Sequence, residues 1–196
     1  MNDTTSTTTR AQSSSSATAK TNDDDKQQLL LEPNCIFCKI LSDQIPGTKV
    51  YEDDVCLILM DIHPIRPGHV LIIPTRHYDN IMDMPPTVAQ HMMTLAHQMT
   101  AALTTRTSTS STTEQFTCHG TNLLWNNGRA AWQTVMHAHL HVIPRQKGDG
   151  LGFLWGIIRH FLSLLGILPP ANRQELDRLA ALFRQALLTQ QSKKST

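Results

Sequence analysis

QTVMHAHLHVIPR, residues 133–145, sets His137, His139 and His141 at every second position of a run that otherwise reads as a buried strand. Side chains alternate across a strand, so the three imidazoles and Ile143 face one way, while Ala138, Leu140 and Val142 face the other, toward a core. Val135 shares the histidine side, so the alternation is imperfect at the start. One histidine in such a place reads as a hydrogen-bonded structural residue. Three in register do not, because burying them together costs desolvation that packing alone does not select. A single metal ion cannot take all three: the outer pair stand roughly 13 Å apart at Cα in a straight strand, whereas zinc–nitrogen bonds are only about 2.0–2.1 Å long. One outer histidine can reach a metal while the other two do something else. Phosphorus chemistry fits that division. A neutral imidazole, with an ordinary pKa of about 6.5, is a nucleophile near neutral pH. A second imidazole two residues on can contact phosphate oxygens or protonate a leaving group, and a phosphohistidine splits one hard displacement into two easier ones.

The rest of the chain bounds this reading. Its 196 residues leave room for one domain with extensions, and a formal charge of +1 gives no electrostatic case for nucleic acid or an anionic membrane as the main partner. Cys35 and Cys38 are spaced for metal or redox chemistry, and Cys56 and Cys118 stand alone; this is not a disulfide framework. The first 22 residues include 12 Ser or Thr and run into NDDDKQQ, so residues 1–30 are expected to be a disordered tail. With Arg10 and Lys20 as its only early basic residues and no amphipathic pattern, the tail fits an organellar leader less well than a cytoplasmic chain, the nucleus being open to it as well. A second polar stretch, 104–115, reads as a solvated loop.

Between these, KVYEDDVCLILMDI (49–62) predicts two strands joined at Asp53 and Asp54, GHVLIIP (68–74) a strand ended by Pro74, and TNLLWN (121–126) another. TVAQHMMTLAHQMTAAL (87–103) has apolar residues at helical spacing. With the histidine run as the fifth strand, the pattern predicts an α+β fold: a five-stranded antiparallel sheet with a crossover helix, followed by a C-terminal helical extension. The expected organisation is a tail (1–30), a domain (31–147), an apolar insertion (148–170), and an amphipathic helix and tail (171–196). Asn172 is placed to cap that last helix and Glu175 to close a capping box.

The histidine run, together with CIFCKILSDQIPGTKVYEDD, MDIHPIRPGHVLIIPTRH and NNGRAAWQTV, resembles the histidine-triad (HIT) family in content, order and spacing over residues 35–146. The resemblance implies that His139 attacks the α-phosphorus of a purine nucleotide and carries a covalent nucleoside monophosphate. His141 would assist the leaving group, Thr134 and Asn126 would hold phosphate with Gln133 in the same loop, and His69 would orient the triad. Asp61 would take the ribose hydroxyls, and Ile36, Phe37, Ile40, Leu59 and Ile62 would form a slot for the base. In family members with Cys-x-x-Cys, zinc is held by residues matching Cys35, Cys38, His77 and His137; four protein ligands suit a structural ion. No organic cofactor is implied, and a homodimer is.

The implied activity is a hydrolase acting on nucleoside phosphoramidates or dinucleoside polyphosphates. A nucleotidyl transferase fits less well, since His141 stands where transferases of this type carry Gln. A nucleotide-binding scaffold with little turnover and a zinc-organised interaction module are the other readings. Two departures bear on them. Trp132 stands where the family has Gly, a residue that lets backbone approach phosphate closely. The stretch 148–170 is longer and more apolar than expected, with Arg159, His160 and Ser163 on one helical face. It is expected to form a helix packed on the domain or a partner subunit, ahead of membrane-surface contact through 151–168 and well ahead of a membrane span. His91, His97, His119 and His160 match no motif and are expected at the surface or at caps.

Overall fold

The computed structural model describes residues 31–104, 107–108 and 115–194. The Ser/Thr-rich tail and most of the 104–115 stretch lie outside the described residues. A short helix α1 (Ile36–Leu41) precedes strands β1 (Lys49–Glu52), β2 (Cys56–Met60) and β3 (Val70–Pro74). Helix α2 (Pro86–Thr104) crosses over to strands β4 (Gly120–Leu124) and β5 (Leu140–Arg145), and helices α3 (Gly150–Leu164) and α4 (Arg173–Lys194) follow. The five strands form one antiparallel sheet in the order β1-β2-β3-β5-β4. A two-residue ribbon, Thr107–Ser108 with Gln115–Phe116, interrupts the polar connection before β4.

The β1–β2 turn forms because the Asp53 carboxylate accepts the backbone N–H groups of Val55 and Cys56, at 2.9 and 2.8 Å. β2 and β3 are buried at every position, because both faces of the sheet are covered. Ile58, Met60, Val70, Ile72, Leu140 and Val142 face α2 and α4, meeting Met92, Leu95, Met99, Leu179 and Phe183. Leu57, Leu59, Leu71 and Ile73 face the other way and pack with Phe37, Cys38 and Ile40 of α1. The histidine side of the last strand is therefore a second packed layer and no open surface.

The last strand is shorter than its sequence pattern. β5 begins at Leu140, and residues 133–139 form a bent approach to it. The bend has a backbone cause: the N–H of His137 is donated to the Val135 carbonyl (2.9 Å) and that of Ala138 to the Tyr78 carbonyl (2.6 Å), so neither enters the ladder. His137 and His139 thus sit before the sheet, and only His141 lies in it, paired opposite Leu71 and Leu124.

At the C-terminal helix, Asn172 accepts the N–H of Gln174 as a cap (2.8 Å), but Glu175 binds Arg178 (2.7 Å) and does not close the box. The apolar insertion forms α3, docked by its small and polar side. Gly156 lies on the carbonyl of Ile65, where a Cβ would come within 2.0 Å of the oxygen. Ser163 is buried, while Leu151, Leu154, Trp155 and Ile158 remain exposed. Asp149 ties the start of α3 to the sheet through Arg145 at 2.7 Å and Arg66 at 3.5 Å. Among the described residues, no helix is long and apolar enough to cross a membrane.

Gly156→Ala is expected to push α3 off Ile65 and destabilise its docking by about 1–3 kcal/mol, the usual cost of overpacking. Hydrogen exchange should show faster exchange across residues 150–164 with β2 and β3 still protected.

Candidate functional site

A cleft of about 360 Å³ opens between the α1 face of the sheet and α3. Ile36, Phe37, Ile40, Leu59 and Ile62 line it as an apolar wall, and Asn126, Thr134, His139, His141 and Asp61 supply polar groups, with the Phe37 ring 5.3 Å from that of His139. α1 supplies the first part of that wall because its Phe37 and Ile40 are anchored on β2 and β3.

Hydrogen bonds fix which nitrogen of each histidine carries a proton. His139 Nδ1 lies 2.6 Å from the carbonyl oxygen of His137. A carbonyl only accepts, so Nδ1 bears the hydrogen and Nε2 is left with the lone pair. His137 Nε2 lies 3.1 Å from the Pro74 carbonyl, which leaves the lone pair on Nδ1. His69 Nε2 meets His141 Nδ1 at 2.9 Å. The backbone N–H of Ile65 is donated to His69 Nδ1 (3.2 Å), so His69 carries its proton on Nε2 and donates it to His141. Asp61 Oδ2 also lies 3.2 Å from His69 Nδ1, but without the alignment of a hydrogen bond it acts there as a nearby charge. Asp61 is itself held by the N–H of His63 at 2.8 Å. His141 then keeps its proton on Nε2, an atom that is buried and without a partner among the described residues.

Burial keeps these rings neutral. It pushes His69 down to about 3, helped by repulsion from His160 and His139. His141 falls further, from burial and then from its neighbour His69, and His139 is lowered chiefly by burial. The cleft therefore presents a bare imidazole nitrogen on His139 beside a neutral N–H donor on His141, their rings 4.9 Å apart between centroids.

Behind the triad, Cys35 Sγ and Cys38 Sγ lie 3.4 and 3.6 Å from His137 Nδ1, and Cys38 Sγ lies 3.2 Å from His77 Nδ1. The four donor atoms fall within 4.8 Å of one another. Ligands on a tetrahedral zinc, with bonds of about 2.0–2.3 Å, stand roughly 3.3–3.8 Å apart, so these four can hold such an ion. His137 offers its bare nitrogen, and His77 turns its Nε2 to the Asp79 carboxylate at 2.9 Å, the usual outer support of a metal-bound imidazole. Burial pushes the Cys38 thiol up to about 12, so a thiolate there requires a cation beside it.

The HIT domain model matches residues 42–148, more than half of the chain. The chain belongs to the HIT domain family. It is 39% identical over 134 residues to a protein named adenylylsulfatase from Arabidopsis thaliana, covering 68% of this chain and 64% of that relative's length. It is 34% identical over 147 residues to a protein named adenosine 5′-monophosphoramidase from Candida albicans, covering 74% of this chain and 93% of the relative. Among solved structures, a zinc-bound histidine triad family protein from Mycobacterium smegmatis superposes with a TM-score of 0.63 at 29% identity, covering 82% of this chain and 97% of that one.

In this HIT protein the fold brings the expected residues together with two exceptions. Gln133 does not line the cleft: its amide accepts from Gly128 N–H (2.7 Å) and donates to the Asp79 and Val135 carbonyls, pinning the loop. His160, expected at the surface or a cap, lines the cleft, its Nδ1 donating to the His63 carbonyl. Trp132 adopts a left-handed backbone (φ 66°), the conformation a glycine takes easily, and it lines the cleft with its indole against Phe161 of α3, 5.4 Å between centroids. The signal for His160 was its place on the polar side of α3, which the apolar composition of that segment obscured.

The depressed His69 value carries a pH dependence. The unfolded chain binds a proton at this residue below about pH 6.5, while the folded chain resists it down to about pH 3. Stability should therefore fall as pH drops below 6.5, by up to about 1.4 kcal/mol per pH unit for this group. Urea denaturation at pH 7 and pH 5 should show a shallower fall in His69→Gln than in wild type.

Proposed function

We propose that this protein is a nucleotide hydrolase that cuts at the α-phosphate of a nucleoside phosphoramidate or phosphoanhydride and releases a nucleoside monophosphate. The observation that carries the reading is the pairing of a bare His139 nitrogen with a neutral His141 N–H donor in a cleft lined otherwise largely by apolar side chains. The base lies against Ile36, Phe37, Ile40, Leu59 and Ile62, and Asp61 accepts the ribose hydroxyls. Asn126 and Thr134 hold the phosphate, with the loop kept in shape by Gln133.

His139 Nε2 attacks phosphorus while its Nδ1–H stays on the His137 carbonyl, which stabilises the positive charge that develops on the ring. The bond to the leaving group breaks while the Nε2–H of His141 hydrogen-bonds the leaving atom, and water gives that atom its proton. The hydroxide so formed attacks phosphorus and frees neutral His139 with the monophosphate. His69 acts through His141, fixing its tautomer.

Cys35, Cys38, His77 and His137 would hold a structural zinc ion, which supplies no chemistry to the step and fixes the His137 carbonyl that orients His139. The names of the relatives, one an adenylylsulfatase and another a phosphoramidase, support a small leaving group. The homodimer reading is supported by β4, which pairs only with β5 among the described residues and leaves Leu123 and Leu124 exposed. Mixing the protein briefly with adenosine 5′-phosphoramidate should give an intact mass increased by one AMP on wild type and none on His139→Ala. Native spectra of the same samples should count one zinc per chain, lost in Cys38→Ser. AMP binding with neither adduct nor released product would contradict the hydrolase and favour a nucleotide-binding scaffold.

A further inference from the structure

The small net charge of the chain conceals an uneven distribution. Between Glu114 and Glu175 stand Arg129, Arg145, Lys147, Arg159 and Arg173 with one acid, Asp149, so this stretch carries +4 in a chain whose total is +1. Arg145 and Arg66 both engage the Asp149 carboxylate, which leaves a cation in excess at the start of α3. Arg129 and Lys147 are exposed.

Helix α3 lies within this stretch and presents apolar side chains outward. Leu151, Leu154, Trp155 and Ile158 recur at helical spacing along one side, and Leu165 continues the stripe at the C-cap. Leu151 is 85% exposed, Trp155 60% and Leu165 73%. Single apolar residues are ordinary on a surface, whereas a contiguous stripe marks a contact. The stripe faces outward because the opposite side of α3 docks, with Gly156 on the Ile65 carbonyl and Ser163 buried. The helix is therefore already formed, and an occupant does not have to order it.

Charge decides among occupants. A two-fold contact with a second copy would set this cationic region against itself. An anionic bilayer matches both features at once: the basic side chains meet headgroups while Leu and Trp enter the boundary with the acyl chains, the depth that Trp favours. Arg159, half-buried, is the one Lys or Arg within α3. Its long stem can lie along the helix while the guanidinium stays at headgroup level. With no helix among the described residues long and apolar enough to cross, the contact runs along the side of α3.

We propose that the outer side of α3 docks on an anionic lipid bilayer, with the helix parallel to the membrane plane. Leu151, Leu154, Trp155, Ile158 and Leu165 enter the bilayer surface, and Lys147 and Arg159 bind headgroups. The inference goes beyond the hydrolase reading and does not depend on it. Leu154 and Trp155 do not line the cleft, so membrane docking can be altered without touching the site.

The experiment is co-sedimentation of the full chain with vesicles of phosphatidylcholine alone and of phosphatidylcholine mixed with phosphatidylserine, with sedimentation velocity run on the same proteins. Wild type should bind the mixed vesicles at least about tenfold more tightly than the plain ones, and less tightly as salt is raised. A basic residue near such a surface is worth roughly fivefold, so Lys147→Gln with Arg159→Gln should weaken binding to the mixed vesicles roughly 25-fold. Leu154→Ser with Trp155→Ser should weaken it at least about tenfold, with the thermal unfolding midpoint unchanged as the sign that the fold is kept. No binding to the mixed vesicles, or equal binding to both kinds, would overturn the inference. A wild-type assembly that Leu154→Ser with Trp155→Ser splits, without vesicle binding, would overturn it too and assign the stripe to a second copy.

Discussion

The short hydrogen bond from His139 Nδ1 to the carbonyl of His137 ties the two halves of the site together. It leaves Nε2 as the free nitrogen of His139, and it exists because the chain bends before β5 instead of running straight into the sheet. The same bend turns His137 Nδ1 toward Cys35 and Cys38. One residue thus offers its ring to the cysteine cluster and its carbonyl to the nucleophile, so the stability of the cluster and the orientation of His139 are coupled through a single peptide unit. His69 plays the corresponding part for His141, with the Ile65 N–H setting its tautomer.

Much of this was legible in the sequence where local pattern and local structure agree. The apolar runs at 56–60 and 70–74, the Pro74 stop and the helical spacing in 87–103 gave the sheet and its crossover, because strands and helices bury side chains at fixed periods. The period of two in His137, His139 and His141 placed all three on one side but overstated the strand. Its first part is held by the Val135 and Tyr78 carbonyls, and the second of these joins residues far apart in the chain, which no periodicity records. Helix α1 escaped notice for a similar reason: six residues make too short a window, and α1 is stabilised by docking Phe37, Cys38 and Ile40 on the sheet.

Helix α3 shows where composition misleads. Long apolar side chains usually make a docking face, yet here Gly152, Gly156, His160 and Ser163 meet the domain, because close approach to the Ile65 carbonyl requires a residue without Cβ. The long apolar side chains divide between the cleft, where Phe153, Ile157 and Phe161 serve as wall, and solvent. Trp132 takes part in this arrangement. A non-glycine residue in the left-handed region costs of order 1 kcal/mol or more, and here its aromatic ring meets Phe161 of α3. Trp132 and helix α3 are thus two parts of one wall.

The division of labour between His139 and His141 is a statement about two protons, and nitrogen-15 NMR of the imidazoles reads both directly. Long-range proton–nitrogen spectra at neutral pH should show His139 protonated at Nδ1 and His141 protonated at Nε2, each as a neutral ring. Finding His139 protonated at Nε2, or His141 at Nδ1, would remove the nucleophile or the hydrogen-bond donor to the leaving group and contradict the account.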